Sequence, residues 1–155
     1  MKLSDSLNLK GKLTIHKVDI NNQTIDKIIA NNDITLSGRE LVAKLFSPKD
    51  EVKPVDQIRL GTGTKDFNLK DNELAEPITE HSIDIEKSDI QKENNRIKLI
   101  LTGTLKEDDS KVNGRELTEA CLYSSESEVM YNRVQFPAIN KTENFKLTLI
   151  WEILF

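Results

Sequence analysis

Apolar and polar side chains alternate along most of the chain, with the period of two that half-buried β-strands show. Polar or turn-forming residues separate the alternating segments at intervals of about eight to twelve residues, as in all-β domains. The clearest of these segments are residues 11–19, 57–60, 97–101, 117–123, 129–136 and 147–155. The pattern predicts seven or eight short strands.

The closing segment has the most regular alternation. One of its faces carries Leu147, Leu149, Trp151, Ile153 and Phe155. Ile150 and Leu154 interrupt the opposite, polar face, so we expect this strand to lie inside a sheet and not at its edge. Trp151 is the expected anchor of the core.

One segment predicts a helix, Leu36–Phe46. Ser37 followed three residues later by Glu40 fits a capping box, with Ser37 as the N-cap, and Pro48 ends the segment. The apolar residues Leu41, Val42, Leu45 and Phe46 share one helical face. We therefore expect a short helix that starts at Ser37-Gly38 and plugs one face or end of the sheet.

The remaining segments fit antiparallel hairpins. Residues 83–86 and 97–101 alternate on either side of a polar turn at 93–95, and residues 117–123 and 129–136 flank a turn at 124–128. Residues 24–30 fit either a returning strand or a short helix, and the preceding asparagines favour the strand. The predicted fold is all-β, or β-rich α+β: an antiparallel sandwich or barrel-like domain with one plugging helix. Because long helices do not alternate with the strands, doubly wound α/β folds are disfavoured.

Composition favours a single domain over residues 1–155. Of the 155 residues, 37% are hydrophobic, and 26 acidic against 22 basic side chains give a net charge of −4. A chain of this length suits one domain of roughly 100 to 150 residues. The basic residues are scattered among acidic ones, which argues against nucleic acid as a partner. No apolar run is long enough for a membrane helix and residues 1–10 lack the apolar core of a signal peptide, so we expect a soluble protein without a membrane partner.

The inventory of reactive side chains predicts no catalytic, cofactor-binding or metal-binding residues. His16 and His81 lie far apart in sequence, and Cys121, the only cysteine, lies in an apolar run typical of a buried reduced thiol. Gly61-Thr62-Gly63-Thr64 lacks the Gly-Lys-Ser/Thr ending of a phosphate-binding loop, so an ordinary glycine turn or bulge is favoured. The protein is therefore predicted not to be an enzyme.

Glu119 is the most conspicuous carboxylate, because it precedes Ala120 and Cys121 in an apolar strand. A functional interpretation makes it a general acid or an inter-subunit contact. The alternative is that it lies on the outward face of that strand, and the alternation favours this alternative.

Five segments, taken in order, resemble a known group of proteins. They are residues 32–46, 58–64, 113–123, 133–141 and 147–155, about three quarters of the chain. This succession resembles small structural proteins of tailed bacteriophages and of related phage-tail-like, contractile injection particles. The resemblance assigns structural roles to Ser37, Gly38, Glu40, Gly61, Gly63, Pro137 and Trp151, with Pro137 expected to break or kink its strand.

The resemblance implies a non-enzymatic component of a phage tail, baseplate or similar particle, made in the host or bacterial cytoplasm and found in the virion or phage-tail-like particle. Its expected partners are other particle proteins and further copies of itself, in a ring or trimer built by β-edge pairing. Arg115, Glu119 and Arg133 are the candidate assembly contacts, and an intrachain surface pair is the alternative for them. A free-standing β-sandwich binding module for a glycan or peptide is the second hypothesis. A hydrolase is a distant third.

Overall fold

A computed structural model describes residues 10–155, so the prediction about a signal peptide falls on residues outside the described part. The elements are β1 Lys10–Asp19, β2 Thr24–Ile34, α1 Leu36–Phe46, β3 Gln57–Gly61, β4 Ile83–Asp84, β5 Lys87–Glu93, β6 Arg96–Leu105, β7 Glu116–Ser124, β8 Val129–Met130, β9 Asn132–Asn140 and β10 Phe145–Leu154. The predicted β-rich class with one short helix is confirmed.

All strand pairs are antiparallel, and they join into one curled sheet. Nine strands follow one another in the order β4-β3-β7-β9-β2-β1-β10-β6-β5, and β8 pairs with β7 beside this path. The two outermost strands, β4 and β5, are separated by only two residues of chain. In that connection the Glu86 amide donates to the Thr102 carbonyl of β6 at 2.8 Å, so the two ends of the sheet approach each other and the domain is barrel-like.

The core lies on the concave side of the sheet. Its fully buried side chains include Leu13, Ile58, Leu122, Leu149 and Trp151. Trp151 Nε1 donates to Asn32 Oδ1 at 3.0 Å, which satisfies the indole donor inside the core. The prediction that β10 lies inside the sheet is confirmed, because β1 pairs with one of its edges and β6 with the other.

The predicted helix is present, but its capping differs. Thr35, not Ser37, is the N-cap: its backbone is extended and its hydroxyl accepts from the Gly38 amide at 3.2 Å. Ser37 lies inside the first turn and donates to the Met130 carbonyl at 2.7 Å. Glu40 forms no capping box, because its carboxylate pairs with Lys44 at 2.8 Å, one turn later. A threonine two residues earlier supplies the cap, since an N-cap needs non-helical backbone.

The helix also plugs the sheet less than expected. Gly38 and Leu41 are its buried residues, and a Cβ on Gly38 would overlap the Tyr131 carbonyl, so glycine is needed for this close contact. Leu45 and Phe46, predicted to face the core, are exposed. The first turns of α1 therefore contact the sheet, and its last turn extends past it.

Two strand predictions need correction. Ile83–Asp84 is a separate short strand that pairs with β3, and the hairpin with β6 is made by Lys87–Glu93. Residues 129–136 form two strands, and the second continues through Pro137 to Asn140. Pro137 does not break β9. It lies in a bulge, since Leu117 pairs with Ile139 whereas Glu119, two residues on, pairs with Gln135.

Candidate functional site

Two of the predicted assembly contacts form an ion pair inside a single chain. Glu119 of β7 and Arg133 of β9 lie on neighbouring strands, with Arg133 Nε 2.7 Å from Glu119 Oε2. Their side chains are 0% and 1% exposed. The prediction that they contact another subunit is therefore wrong. The alternative of an intrachain pair is confirmed for these two residues, but the pair is buried and not on the surface.

The Glu119 carboxylate also holds the long loop that follows β3. Its Oε1 accepts from the amides of Gly63 at 3.1 Å and Glu76 at 2.8 Å, and its Oε2 accepts from the Ala75 amide at 3.1 Å. Together with Arg133 this makes four donors on one carboxylate. Such charge-assisted bonds are stronger than neutral ones, so Glu119 fixes both ends of this loop onto β7.

The Gly-Thr-Gly-Thr segment is explained by this contact. A Cβ on Gly61 would overlap Glu119 Oε1, and a Cβ on Gly63 would lie 2.5 Å from the same oxygen. Neither position has room for a side chain. The Gly63 amide, which would be available to a phosphate in a nucleotide-binding loop, is used to bind a carboxylate of the same chain.

Arg133 extends the network to the middle of the loop. Its Nη2 donates to the Lys65 carbonyl at 2.6 Å, and its Nη1 lies 3.3 Å from Asp71 Oδ2. The Lys65 carbonyl also accepts from Gln135 Nε2 at 2.6 Å. The face of β7 that carries Glu119 does point away from the main core, as the alternation indicated, but residues 62–76 cover it.

The same loop, residues 62–76, also buries Cys121. Cys121 lies two residues after Glu119, on the same face, and packs with Leu74 and Met130 in a second small apolar cluster. Burial raises the pKa of its thiol to about 12. The prediction of a buried cysteine is confirmed, and the raised pKa makes this thiol a poor nucleophile at neutral pH.

Arg115 differs from the other two candidate contacts because it is exposed. Its Nε donates to the Lys111 carbonyl at 2.8 Å, and its side chain lines an open groove of about 610 Å³. The groove walls include Thr62, Gly63, Glu76, Arg115, Gln135 and Phe136. Phe136, the aromatic residue among them, is only 7% exposed, so little of its ring is available to a ligand in the groove.

Two further side chains, His81 and Lys141, hold a second loop, residues 106–114. His81 Nε2 lies 2.8 Å from Asp109 Oδ2. Lys141 Nζ donates to Thr142 O, Asn113 Oδ1 and Glu107 O at 2.6, 2.8 and 3.2 Å. Burial lowers the pKa of Lys141, and the nearby carboxylates oppose that shift. The burial of Lys141 could not be predicted from the sequence, because it depends on contacts with residues 107 and 113.

Several large apolar side chains of residues 10–155 are exposed, and three of them are the most exposed. Ile20 in the β1–β2 turn is 84% exposed, Phe46 at the end of α1 is 86% exposed, and Ile90 in β5 is 67% exposed. Scattered exposed aliphatic residues are ordinary, but a projecting Phe and an exposed edge strand are typical of surfaces that contact other proteins.

The β5–β6 hairpin is the most exposed part of the sheet. All seven side chains of β5 are exposed. Its turn, Asn94-Asn95, has positive φ at both residues, 48° and 61°, as a two-residue type I′ turn requires. On its convex face a row of charges crosses four strands, Lys12 to Glu152 at 2.7 Å, Glu152 to Lys98 at 3.4 Å and Lys98 to Glu93 at 3.2 Å.

No protein-family model, curated protein or solved structure matches the chain. Within residues 10–155, no helix combines the length and the apolar character needed to cross a membrane. In the same part of the chain, no three His, Cys, Asp or Glu side chains are grouped so that they could hold a metal ion.

Proposed function

We propose that the protein is a non-enzymatic structural component of a phage tail, baseplate or phage-tail-like particle, and that it acts through protein–protein assembly. It contacts other particle proteins and further copies of itself, is made in the bacterial cytoplasm and ends in the particle. A symmetric ring or trimer remains the prediction for the assembled state.

The observation that carries this proposal is the set of large apolar side chains that project from the sheet. Ile20 lies in the β1–β2 turn, Phe46 is the last residue of α1, and Ile90 lies on the edge strand β5. Covering such side chains is favourable by about 25 cal/mol per Å² of apolar surface. A partner protein that covers these side chains removes their apolar surface from water, and this burial stabilises the complex.

The residues behind the resemblance support a scaffold role. Gly61 and Gly63 give room to Glu119, Glu119 pairs with Arg133, and both charged residues fix the loop over β7. Each of these contacts stabilises the subunit and leaves its outer surface available. Arg115, which is exposed, remains a candidate contact with a neighbouring protein.

A specific observation favours one alternative, a free-standing β-sandwich binding module for a glycan or peptide. The open groove beside Arg115 is large enough for a short ligand and carries Glu76 and Gln135 on its walls. Glycan and peptide array binding that is lost in both Arg115→Ala and Gln135→Ala would favour this alternative over the particle role.

Fractionation of particles tests the main proposal. The epitope-tagged protein is expressed in the source cells, particles are induced and purified on a density gradient, and the fractions are probed for the tag after a high-salt wash. We expect the protein to sediment with the particles. Recovery only in the unassembled fractions at the top of the gradient would contradict the proposal.

A matched pair of surface variants ties the result to the projecting helix end. Phe46→Ser is expected to lower the amount of protein in the particle fractions at least several-fold without changing the melting temperature, since Phe46 packs little against its own chain. Lys49→Ser, an exposed change three residues later, is the control and is expected to sediment as the wild type does.

A further inference from the structure

Among the strands of residues 10–155, none pairs with the outer edge of β5. Within residues 10–155, β5 pairs only with β6, from Lys87 opposite Thr102 to Glu93 opposite Arg96. An edge strand of seven residues presents a row of backbone donors and acceptors to any strand that can align with it.

The hairpin turn determines which residues face that edge. In a two-residue hairpin the residues flanking the turn, here Glu93 and Arg96, exchange hydrogen bonds with each other. In an antiparallel ladder the bonded residues alternate, so Glu93 and every second residue before it bond to β6. The amides and carbonyls of Ser88, Ile90 and Lys92 therefore point outward.

The sequence of β5 is complementary to itself in one antiparallel register. With Ile90 opposite Ile90 of a second copy, Lys87 lies opposite Glu93, and the remaining pairs are Ser88 with Lys92 and Asp89 with Gln91. The outward-facing residues then meet one another, so each donates one backbone hydrogen bond and accepts one. Opposite charges meet at both ends of the paired strands, and no like charges face each other.

The neighbouring registers are worse. A shift of two residues in one direction places Asp89 opposite Asp89, and the same shift in the other direction places Asp89 opposite Glu93. Like charges directly opposite each other destabilise a strand pair. A shift of one residue brings together backbone groups that already bond to β6. The charge pairs and the direction in which the backbone amides and carbonyls point thus select the same register.

We propose that two copies of this chain pair through their β5 edges, antiparallel, about a two-fold axis at Ile90. The pairing continues the sheet from one subunit into the other, and the two Ile90 side chains meet on the face that also carries Leu99 and Ile97 of β6. The inference rests on the proposed function in that it names the partner for one assembly surface. A two-fold contact is compatible with a ring, because dihedral assemblies combine both axes.

Thiol cross-linking tests the register. In the proposed pair the two Ile90 residues exchange backbone hydrogen bonds, and their Cβ atoms are about 5.5 Å apart, beyond the reach of a direct disulfide, so a reagent that joins two thiols through one methylene group is used. The two Ser88 residues are offset by about 13 Å along the strands. Cys121 is buried and does not compete. With this reagent, Ile90→Cys is expected to form a covalent dimer and Ser88→Cys, on the same face of the same strand, is not. Absence of an Ile90→Cys dimer, or equal cross-linking of both variants, would overturn the proposal.

Charge exchange tests the same contact without a covalent bond. Lys87→Glu and Glu93→Lys each place like charges at both ends of the paired strands, so each is expected to weaken dimerisation at least tenfold in sedimentation equilibrium. The double variant restores opposite charges and is expected to return within about threefold of wild type. A double variant that dimerises no better than the single variants would refute the register, with circular dichroism confirming that all variants fold.

The two proposals fail in different ways. A wild-type chain that stays monomeric but enters particles normally would overturn the β5 pairing and leave the particle role in place. A β5-dependent dimer that never sediments with particles would leave the pairing in place and contradict the particle role.

Discussion

Replacing Glu119 by glutamine tests whether the buried ion pair holds the long loop onto the sheet. The carboxylate accepts from four donors, two on each oxygen: Gly63 and Glu76 on Oε1, Ala75 and Arg133 on Oε2. A glutamine amide has one oxygen and one NH₂ group. In either orientation its NH₂ faces two N–H donors, which then have no acceptor.

The size of the effect follows from this geometry. A buried donor without an acceptor costs about 1–3 kcal/mol, and removing one partner of a buried ion pair costs about 3–5 kcal/mol. These two figures describe overlapping losses, and Asp71 still lies 3.3 Å from the Arg133 guanidinium. We expect the free energy of unfolding to fall by about 4 kcal/mol, which lowers the melting temperature by roughly 10 °C in a chain of this size.

Urea denaturation followed by the fluorescence of the buried Trp151 measures this loss, since Trp151 is the only tryptophan. Glu116→Gln is the matched control: it makes the same chemical change at an exposed position of the same strand, with an expected effect below about 0.5 kcal/mol. If Glu119→Gln is no less stable than Glu116→Gln, the ion pair does not hold the loop.

A double-mutant cycle separates the pair from its surroundings. In Glu119→Gln the guanidinium is left buried without its main counter-ion, so a further Arg133→Met change removes a group that has become unfavourable. The double variant is therefore expected to lose about 2 kcal/mol less than the sum of the two single variants. Additive losses would mean that the two side chains do not interact.

Three other outcomes follow from the structure. Gly63→Ala places a Cβ 2.5 Å from Glu119 Oε1 and is expected to lower the free energy of unfolding, measured by urea denaturation, by about 3 kcal/mol. The control is Gly114→Ala, where φ is +84° and the space is open, with an expected loss of about 1 kcal/mol. Equal losses in the two variants would contradict the close contact at Gly63. Because Cys121 is buried, and burial also raises its pKa to about 12, a disulfide reagent at pH 8 is expected to reach the thiol only when the protein unfolds. Labelling of the native protein faster than its unfolding would contradict this. The hydrogen bond from Lys12 holds the pKa of Glu152 below its ordinary value of 4.5, so the pair stabilises the fold above that pH. The stability difference between wild type and Lys12→Met, at most about 1 kcal/mol at pH 6, is expected to shrink as the pH falls below 4.5 and Glu152 becomes protonated. A difference that does not shrink with falling pH would have another cause.

Most of the strands could be predicted because side-chain alternation is a local property. β1, β7 and β10 bury alternate side chains on the concave face, and the same period is visible in the sequence. The turn at residues 94–95 could also be placed, since asparagine tolerates the positive φ that a tight hairpin needs.

The role of Glu119 could not be predicted, because it depends on contacts distant in sequence. Alternation placed this side chain on the face opposite the main core, where a carboxylate would ordinarily meet water. Residues 62–76 cover that face and supply three backbone amides to the carboxylate. The glycines at 61 and 63 were the available signal, since both lie where a Cβ would collide with Glu119.

The position of α1 relative to the sheet could not be predicted from the sequence either. The helical period of Leu41, Leu45 and Phe46 indicated one continuous buried face, but it contains no information about where the sheet ends. Leu41 packs against the sheet and Phe46, more than one turn later, lies past it. The apolar side chain of Phe46 is therefore available for contact with another protein.

The claim that the chain works by assembly with its own copies is tested most directly by the solution mass of the wild-type protein, measured by light scattering over a dilution series. We expect a species of at least twice the 17.7 kDa monomer mass, which dissociates on dilution as mass action requires. A mass of 17.7 kDa at every concentration would contradict it.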